Sequence, residues 1–228
     1  MSSRVLLFDL DGTLTDSRPG IVRCFRHALE SLERPCPPDD VLASFIGPPL
    51  RGAFATLLDS SDPALIDAAV ARYRARLSST GLYENQVYDG VPEMLERSKP
   101  MASALFIVTA KLTVFAERVV RHFGLDHHFA AIYGSELDGR FEEKADLVAH
   151  VLAIRRIPSE AAIMIGDRAV DIRAARANGI RAVGVLWGYG SERELVDTGV
   201  DELCVAPGDM ASCLARIATL LGRSPLSR

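Results

Sequence analysis

Arg4-Val5-Leu6-Leu7-Phe8-Asp9-Leu10-Asp11-Gly12-Thr13-Leu14 passes from an apolar run to a charged turn. Val5 to Phe8 read as a buried strand, where a carboxylate is costly unless something compensates it. Asp9 and Asp11 stand two residues apart at that strand's carboxyl end, just ahead of Gly12. In an open α/β sheet, ligands bind in the crevice outside the carboxyl ends of the strands. Such a pair can hold Mg²⁺, with one oxygen left as a nucleophile and the other carboxyl handling a proton. An Asx-type turn closing a strand explains an isolated Asp-x-Asp-Gly equally well. The rest of the chain has to choose between the two.

The 228 residues, 48% of them hydrophobic, suit one large α/β domain or a core with a small accessory domain. With 26 basic and 30 acidic residues the net charge is −4, which gives no general field for collecting nucleic acid. Cys24, Cys36, Cys204 and Cys213 show no Cys-x-x-Cys spacing, so reduced, buried thiols are expected rather than a disulfide framework or a zinc site. No apolar run approaches the roughly 18 residues of a membrane span. The expectation is a cytoplasmic protein, monomeric or homodimeric, with neither membrane nor nucleic-acid partners.

Ile21, Val22, Phe25, Leu29 and Leu32 recur at spacings of three and four, which predicts an amphipathic helix over 17–33. Pro35, Pro37 and Pro38 end it, and Asp39-Asp40 are placed to cap the next helix. Further helices are expected near 50–59 and 64–78, the latter with Pro63 after Ser61-Asp62, and nothing from 16 to 80 reads as a strand. The second half alternates: apolar segments at 104–108, 129–133, 161–165 and 182–186, helical patterns at 91–98, 113–123, 142–154 and 169–177. That is the pattern of a parallel sheet wrapped by helices. Strand 1 needs the later strands as neighbours, so 16–81 is expected as a helical cap inserted into a core made of 1–15 and 82–228. Connections near Thr15–Pro19 and Gly81–Gly90 would be hinges, and Gly222 to Arg228 a frayed tail.

Two more strands end in chemically capable residues. Leu105-Phe-Ile-Val108 runs into Thr109-Ala110-Lys111, and Ala161-Ala-Ile-Met-Ile165 into Gly166-Asp167, with Asp171 four residues on. Parallel strands point their carboxyl ends one way, so Asp9, Asp11, Thr109 and Asp167 can meet in one crevice. Asp167 and Asp171, one turn apart at a helix start, can face one ion. A capping role explains either alone; together with Asp9 and Asp11 they favour a metal site.

At these residues the chain resembles the haloacid dehalogenase-like superfamily of phosphohydrolases, over nearly its whole length. The first motif, DxDGT, stands as Asp9-Leu-Asp-Gly-Thr13, and the fourth, GDxxxD, as Gly166-Asp-Arg-Ala-Val-Asp171. The resemblance implies a Rossmann-like α/β core with strand order 5-4-1-2-3 and an all-helical C1 cap. It is similar to the capped group that holds phosphoglycolate phosphatases, β-phosphoglucomutases and small 5′-nucleotidases. By motif, Asp9 would attack phosphorus and form an aspartyl-phosphate. Asp11 would protonate the leaving oxygen and then activate water. Thr109 would bond the phosphoryl group, and Mg²⁺ would be held by Asp9, the Asp11 carbonyl, Asp167 and Asp171. Gly12, Thr13, Ala110, Lys111 and Arg51 are the implied substrate-side set.

Two departures from the family pattern matter. The third-motif lysine, which stands in a Lys-Pro-x-Pro run in phosphoglycolate phosphatases, has Lys144 as its one good candidate here; otherwise Lys144 is a solvated lysine at a helix start, a disfavoured place for a cation. The second motif is Thr-Ala-Lys rather than Thr-Asn-Lys, which places Lys111 either in the pocket or in solvent. Phe45-Ile-Gly-Pro-Pro-Leu-Arg51 resembles the family's substrate-facing cap loop, with Arg51 set to meet the distal end of the substrate, unless it is a helix connection with a surface arginine. Arg72, Arg74 and Arg76 read as the wet face of a helix, Trp187 as part of one wall of the site, and the histidines share no metal-binding spacing.

The expected activity is Mg²⁺-dependent hydrolysis of a small soluble phosphomonoester, with phosphoglycolate the leading substrate. The alternatives are a 5′-nucleotidase, a phosphomutase of the β-phosphoglucomutase type and a catalytically silent binding protein. A true dehalogenase is disfavoured, since that branch lacks the second acidic residue of the first motif and needs no metal.

Overall fold

The computed structural model describes residues 4–221. The tail expected to fray, 222–228, lies outside the described residues. β1 (Val5–Phe8) is buried along its whole length. It lies between β4 (Ala104–Leu112) and β6 (Ala162–Gly166), parallel to both, with Val5 opposite Ala104 on one side and Ala162 on the other. With β5 (Ala131–Ser135), β7 (Arg181–Val185) and β8 (Glu202–Cys204) it forms a six-stranded parallel sheet in the order β5-β4-β1-β6-β7-β8. Read from β7 inward, this is the expected 5-4-1-2-3 order. β8 is an addition at the edge: its three residues carry one buried side chain, too short a run for a periodic signal.

Side chains alternate across the sheet, so β1 sends Leu6 and Phe8 to one face and Val5 and Leu7 to the other. The first face packs on α5 (Val91–Ser98), α6 (Thr113–His122) and α10 (Met210–Leu221) through Leu95, Val119 and Leu214. The second packs on α7 (Lys144–Arg155), α8 (Ala169–Ala177) and α9 (Glu192–Thr198) through Val148, Ile172 and Leu195. Fully buried between helices on both sides, the central strands read as continuous apolar runs.

Between β1 and β4 the chain builds α1 (Arg18–Glu30), α2 (Asp39–Ala43), α3 (Leu50–Leu57) and α4 (Pro63–Arg76), and leaves through a π-helical turn, Leu77–Gly81. α1 buries Ile21, Val22, Phe25, Ala28 and Leu29, the predicted stripe. Phe25 meets Phe54 at 5.3 Å and Tyr73 at 4.9 Å between ring centroids, fastening α1 to α3 and α4. Each such buried aromatic contributes about 1.5–3 kcal/mol. Asp62 caps α4 by accepting from the Ala64 amide at 3.0 Å, with Pro63 at the helix start. α2 departs from expectation: Pro38 occupies the cap position and Asp39 and Asp40 form the first turn, where their negative charge still favours the positive end of the helix dipole.

The helical block joins the sheet domain through two short strands, β2 (Thr15–Asp16) and β3 (Gln86–Val87), which pair antiparallel. This pairing was not legible, since Thr15-Asp16 and Gln86-Val87 are too short to alternate; it also puts a strand residue at 16, where none was expected. All four cysteines are free, with Cys24, Cys204 and Cys213 buried. Among the described residues no helix is long and apolar enough to cross a membrane.

Candidate active site

The carboxyl ends of β1, β4 and β6 converge on one cluster of carboxylates. Asp9 follows β1 directly, and its amide donates to the Ile165 carbonyl of β6 at 2.9 Å, so the sheet ladder itself aims the side chain. Gly12 turns the chain with φ of +88°, and a Cβ there would stand 2.3 Å from Asp167 Oδ2. Only glycine meets both demands. Thr13 Oγ1 then donates to Asp167 Oδ1 at 3.2 Å, and the Tyr189 amide donates to Asp167 Oδ2 at 2.8 Å. Asp171, fully buried on α8, accepts from the Arg168 amide at 3.0 Å and from Lys144 Nζ at 2.6 Å.

Lys144 Nζ also stands 2.9 Å from Asp9 Oδ1, with only 1% of its side chain exposed. The helix-start lysine is therefore not solvated: the sheet packing turns it inward, and two carboxylates compensate its burial. Lys144 thus bridges the two buried carboxylates of Asp9 and Asp171. Lys111 Nζ lies 2.8 Å from Asp11 Oδ2, so the Thr-Ala-Lys variant also brings its lysine into the pocket. Thr109 is buried, and its Oγ1 accepts from the Lys111 amide at 3.3 Å.

Burial pushes the Asp9 carboxyl up to about 6, although Lys144 pulls the other way. Burial, reinforced by Asp171 and Asp9, pushes Asp167 up to about 8. For Lys144, burial works downward but Asp171 and Asp9 outweigh it and hold the ammonium above its usual range. Carboxylate oxygens of Asp9, Asp167 and Asp171 lie within 4.8 Å of one another, against one lysine. Asp11 Oδ1 is buried without a partner. An all-oxygen, electron-rich group with excess negative charge and an orphaned acceptor fits a hard divalent cation such as Mg²⁺.

Above the cluster lies a cavity of about 830 Å³, counting its part open to solvent. Asp9, Asp11, Thr109, Ala110 and Lys111 form its floor, and the helical block supplies most of the rest. Gly12 and Thr13 are not among its lining residues; they shape the turn and hold Asp167. The loop Phe45–Leu50 lines the cavity as expected, and Arg168 Nη1 donates to the Ile46 carbonyl beneath it.

Arg51 does not follow its expectation. It pairs with Asp67 on the outer surface and lines a neighbouring recess instead. Arg74, expected on a wet face, lines the cavity itself, because the aromatic packing of Tyr73 against Phe25 rotates that side of α4 inward. Trp187 is not among the residues lining the cavity; its Nε1 donates to the Thr13 carbonyl at 2.9 Å and so braces the aspartate turn. Sequence reasoning missed Tyr189, whose hydroxyl accepts from the amides of Ser17 at 2.8 Å and Arg18 at 3.0 Å. The available signal was the flanking glycines: a Cβ on Gly188 would stand 2.3 Å from the Gly12 carbonyl.

A family profile described as haloacid dehalogenase-like hydrolase matches residues 6–185. The chain belongs to the haloacid dehalogenase-like hydrolases. It is an enzyme of this family's phosphatase kind. It is 47% identical to a 5′-nucleotidase of Pseudomonas aeruginosa, over 83% of this chain and 86% of that one. It is 40% identical to the tyrosine-protein kinase PtkA of Mycobacterium tuberculosis, over 83% of this chain but only 64% of PtkA. A phosphoglycolate phosphatase of Xanthomonas campestris is 33% identical over 82% of this chain and 84% of its own. Among solved structures, a predicted phosphatase from Clostridium acetobutylicum superposes with a TM-score of 0.89 at 34% identity, over 95% of this chain and 100% of that one.

Proposed function

We propose that this hydrolase removes phosphate from nucleoside 5′-monophosphates through an aspartyl-phosphate on Asp9. The observation that carries the substrate is the cavity wall. Phe45, Leu50, Tyr73, Leu77 and Phe115 line the space above Asp9, an apolar and aromatic surface suited to a flat ring. Phosphoglycolate, the sequence-based choice, is small and acidic and would leave that wall in contact with water. The 47% identity to a protein called a 5′-nucleotidase supports the same reading.

In this reading, residues 1–15 and 82–228 form the core and 16–81 a cap that moves on the β2–β3 pair. Asp9, oriented by its ion pair with Lys144, attacks phosphorus in line with the leaving 5′-oxygen. Asp11 delivers a proton to that oxygen and afterwards takes one from the water that hydrolyses the aspartyl-phosphate. Lys111, 2.8 Å from Asp11, and Thr109 steady the phosphoryl group and its neighbour carboxyl. Lys144 keeps Asp9 ionised and opposes the charge accumulating on the phosphoryl oxygens. Asp9, Asp167, Asp171 and the Asp11 carbonyl would hold Mg²⁺, which would supply the charge neutralisation that an anionic nucleophile needs to approach a phosphate dianion.

The test is a comparison of kcat/KM, with Mg²⁺, across nucleoside 5′-monophosphates, phosphoglycolate and hexose phosphates. Nucleotides should lead by about tenfold or more, as expected where a well-fitting apolar group is buried only by the right substrate. A tenfold preference for phosphoglycolate would overturn the nucleotidase reading and return the chain to the sequence-based one.

A further inference from the structure

His127 and His128 close a single 3-10 turn, Asp126–His128, that leads from α6 into β5. Glu96 stands near the end of α5, which leads toward β4. All three precede parallel strands and so lie at the amino edge of the sheet, opposite the carboxylate cluster. No spacing along the chain announces them together, because only tertiary packing brings Glu96 to the histidine pair.

Ring nitrogens of both histidines converge on one carboxylate oxygen. His128 Nδ1 lies 3.4 Å and His127 Nε2 3.8 Å from Glu96 Oε1, and the three ligand-capable atoms sit within 4.8 Å of one another. The two rings lie side by side, with centroids 3.9 Å apart. His128 is only 7% exposed, and its Nδ1 is buried and makes no hydrogen bond. A buried ring nitrogen is normally paired, and this one faces a carboxylate that is too far for a good hydrogen bond.

Two imidazoles and a carboxylate suit a borderline divalent ion such as Zn²⁺ better than the hard Mg²⁺ that fits the catalytic carboxylates. Around a tetrahedral ion with bonds of about 2.0–2.1 Å, neighbouring ligand atoms stand about 3.3 Å apart. The separation of Glu96 from His128 matches that spacing, and the exposed His127 needs only a small side-chain rotation to reach it. Burial, with His127 alongside, holds the His128 imidazole below its usual range, so it is uncharged at neutral pH, the state in which histidine ligates. Lys99 Nζ, 2.8 Å from Glu96 Oε1, is the resident competitor, but a partly exposed ion pair of this kind is weak.

We propose that Glu96, His127 and His128 form a further metal site, selective for zinc-class ions over Mg²⁺, that clasps the end of α5 to the turn ahead of β5. The site stands apart from the nucleotidase reading, since no residue of the catalytic cluster takes part. Three protein ligands leave a fourth position for water, and the exposed Glu96 and His127 give an ion its way in from solvent.

The experiment titrates the full chain with Zn²⁺ against a chromophoric chelator, with excess Mg²⁺ to occupy the catalytic carboxylates. It compares the wild type with His127→Ala, Glu96→Gln, Lys99→Gln and Asp167→Asn. His127 and Glu96 are exposed, so neither substitution disturbs the core. The wild type should bind one Zn²⁺ that His127→Ala and Glu96→Gln each weaken by about 100-fold, since loss of an outer partner alone costs about 10–100-fold. Lys99→Gln should tighten it by about two- to fivefold by freeing Glu96, and Asp167→Asn should leave it unchanged. Co²⁺ in place of Zn²⁺ should give the wild type the intense visible absorption of a tetrahedral site, lost in His127→Ala. Equal Zn²⁺ affinity in the wild type, His127→Ala and Glu96→Gln would overturn the proposal, as would weaker binding in Lys99→Gln. Zinc binding abolished by Asp167→Asn alone would assign the ion to the catalytic cluster and overturn it as well.

Discussion

Lys144→Met tests the centre of the site, because Met keeps the length and apolar stem and deletes only the ammonium. In the native protein that ammonium stands 2.6 Å from Asp171 and 2.9 Å from Asp9, with 1% of the side chain exposed. At an effective dielectric of about 20, each contact is worth roughly 6 kcal/mol before desolvation is subtracted. Removing one partner of a buried pair leaves a net loss of about 3–5 kcal/mol. The loss must depend on pH. Burial already raises the Asp9 carboxyl to about 6, above the 3.8 of an unperturbed group, so the folded state holds an extra proton between these values. Metal-free stability therefore declines as pH rises through that window. Without Lys144 the Asp9 carboxyl shifts further up, and the decline extends to higher pH. Urea unfolding in chelator should show a deficit of about 3 kcal/mol at pH 8 and roughly half that at pH 5, where Asp9 is largely neutral in both proteins. With Mg²⁺ restored, kcat should fall about 10²–10³-fold through lost stabilisation of phosphoryl charge. A deficit identical at both pH values, or a kcat within tenfold of wild type, would refute the reasoning.

The remaining predictions concern the neighbouring groups. Metal-free protein should lose melting temperature from pH 5 to pH 8 as Asp9, at about 6, and Asp167, at about 8, shed protons into a buried anionic cluster. Mg²⁺ should restore it, more at pH 8 than at pH 5, because ligands must be deprotonated to bind; a melting curve blind to Mg²⁺ at pH 8 would remove the metal assignment. Asp9→Asn should abolish trapping of a beryllium fluoride mimic on that side chain, whereas Asp11→Asn should keep most Mg²⁺ affinity yet cut turnover by roughly 10²–10⁴-fold. Near-wild-type rates in both would contradict the covalent route. Arg51→Ala should change stability by no more than about 0.5 kcal/mol and leave kcat/KM within twofold, since its pair with Asp67 is exposed. A large KM effect would return Arg51 to the site.

Much of the scaffold was legible because local pattern and burial coincide. Helices at 91–98 and 169–177 have the bounds that their apolar spacing predicts. The Asp9–Thr13 turn announces a strand end because charge and glycine cannot continue a buried apolar strand. What escaped was short or non-local. Glu202–Cys204 carries no period, and β2 and β3 are each a residue pair whose only strand signal is the other. Arg51 and Arg74 show the limit more sharply. Both are arginines on amphipathic helices of the same block, and the sequence offers no ground for sending one to Asp67 and the other into the cavity.

The parallel sheet and the gathering of Asp9, Thr109 and Asp167 follow from the sequence by itself, whereas the strand order came from the family resemblance. Apolar runs that alternate with helices dictate a parallel sheet, and parallel strands bring their carboxyl ends to one side. Tertiary packing decided which cations reach that side. Lys144, Lys111 and Arg74 all have long flexible stems, and each takes its direction from elements distant in the chain: α8 with Asp171, the β1 turn with Asp11, and the aromatic contacts of α1 with α4. Hydrophobic periodicity records how one element faces the core. It carries no information on where a charged tip ends, which is set by the carboxylates and voids that other elements leave within its reach.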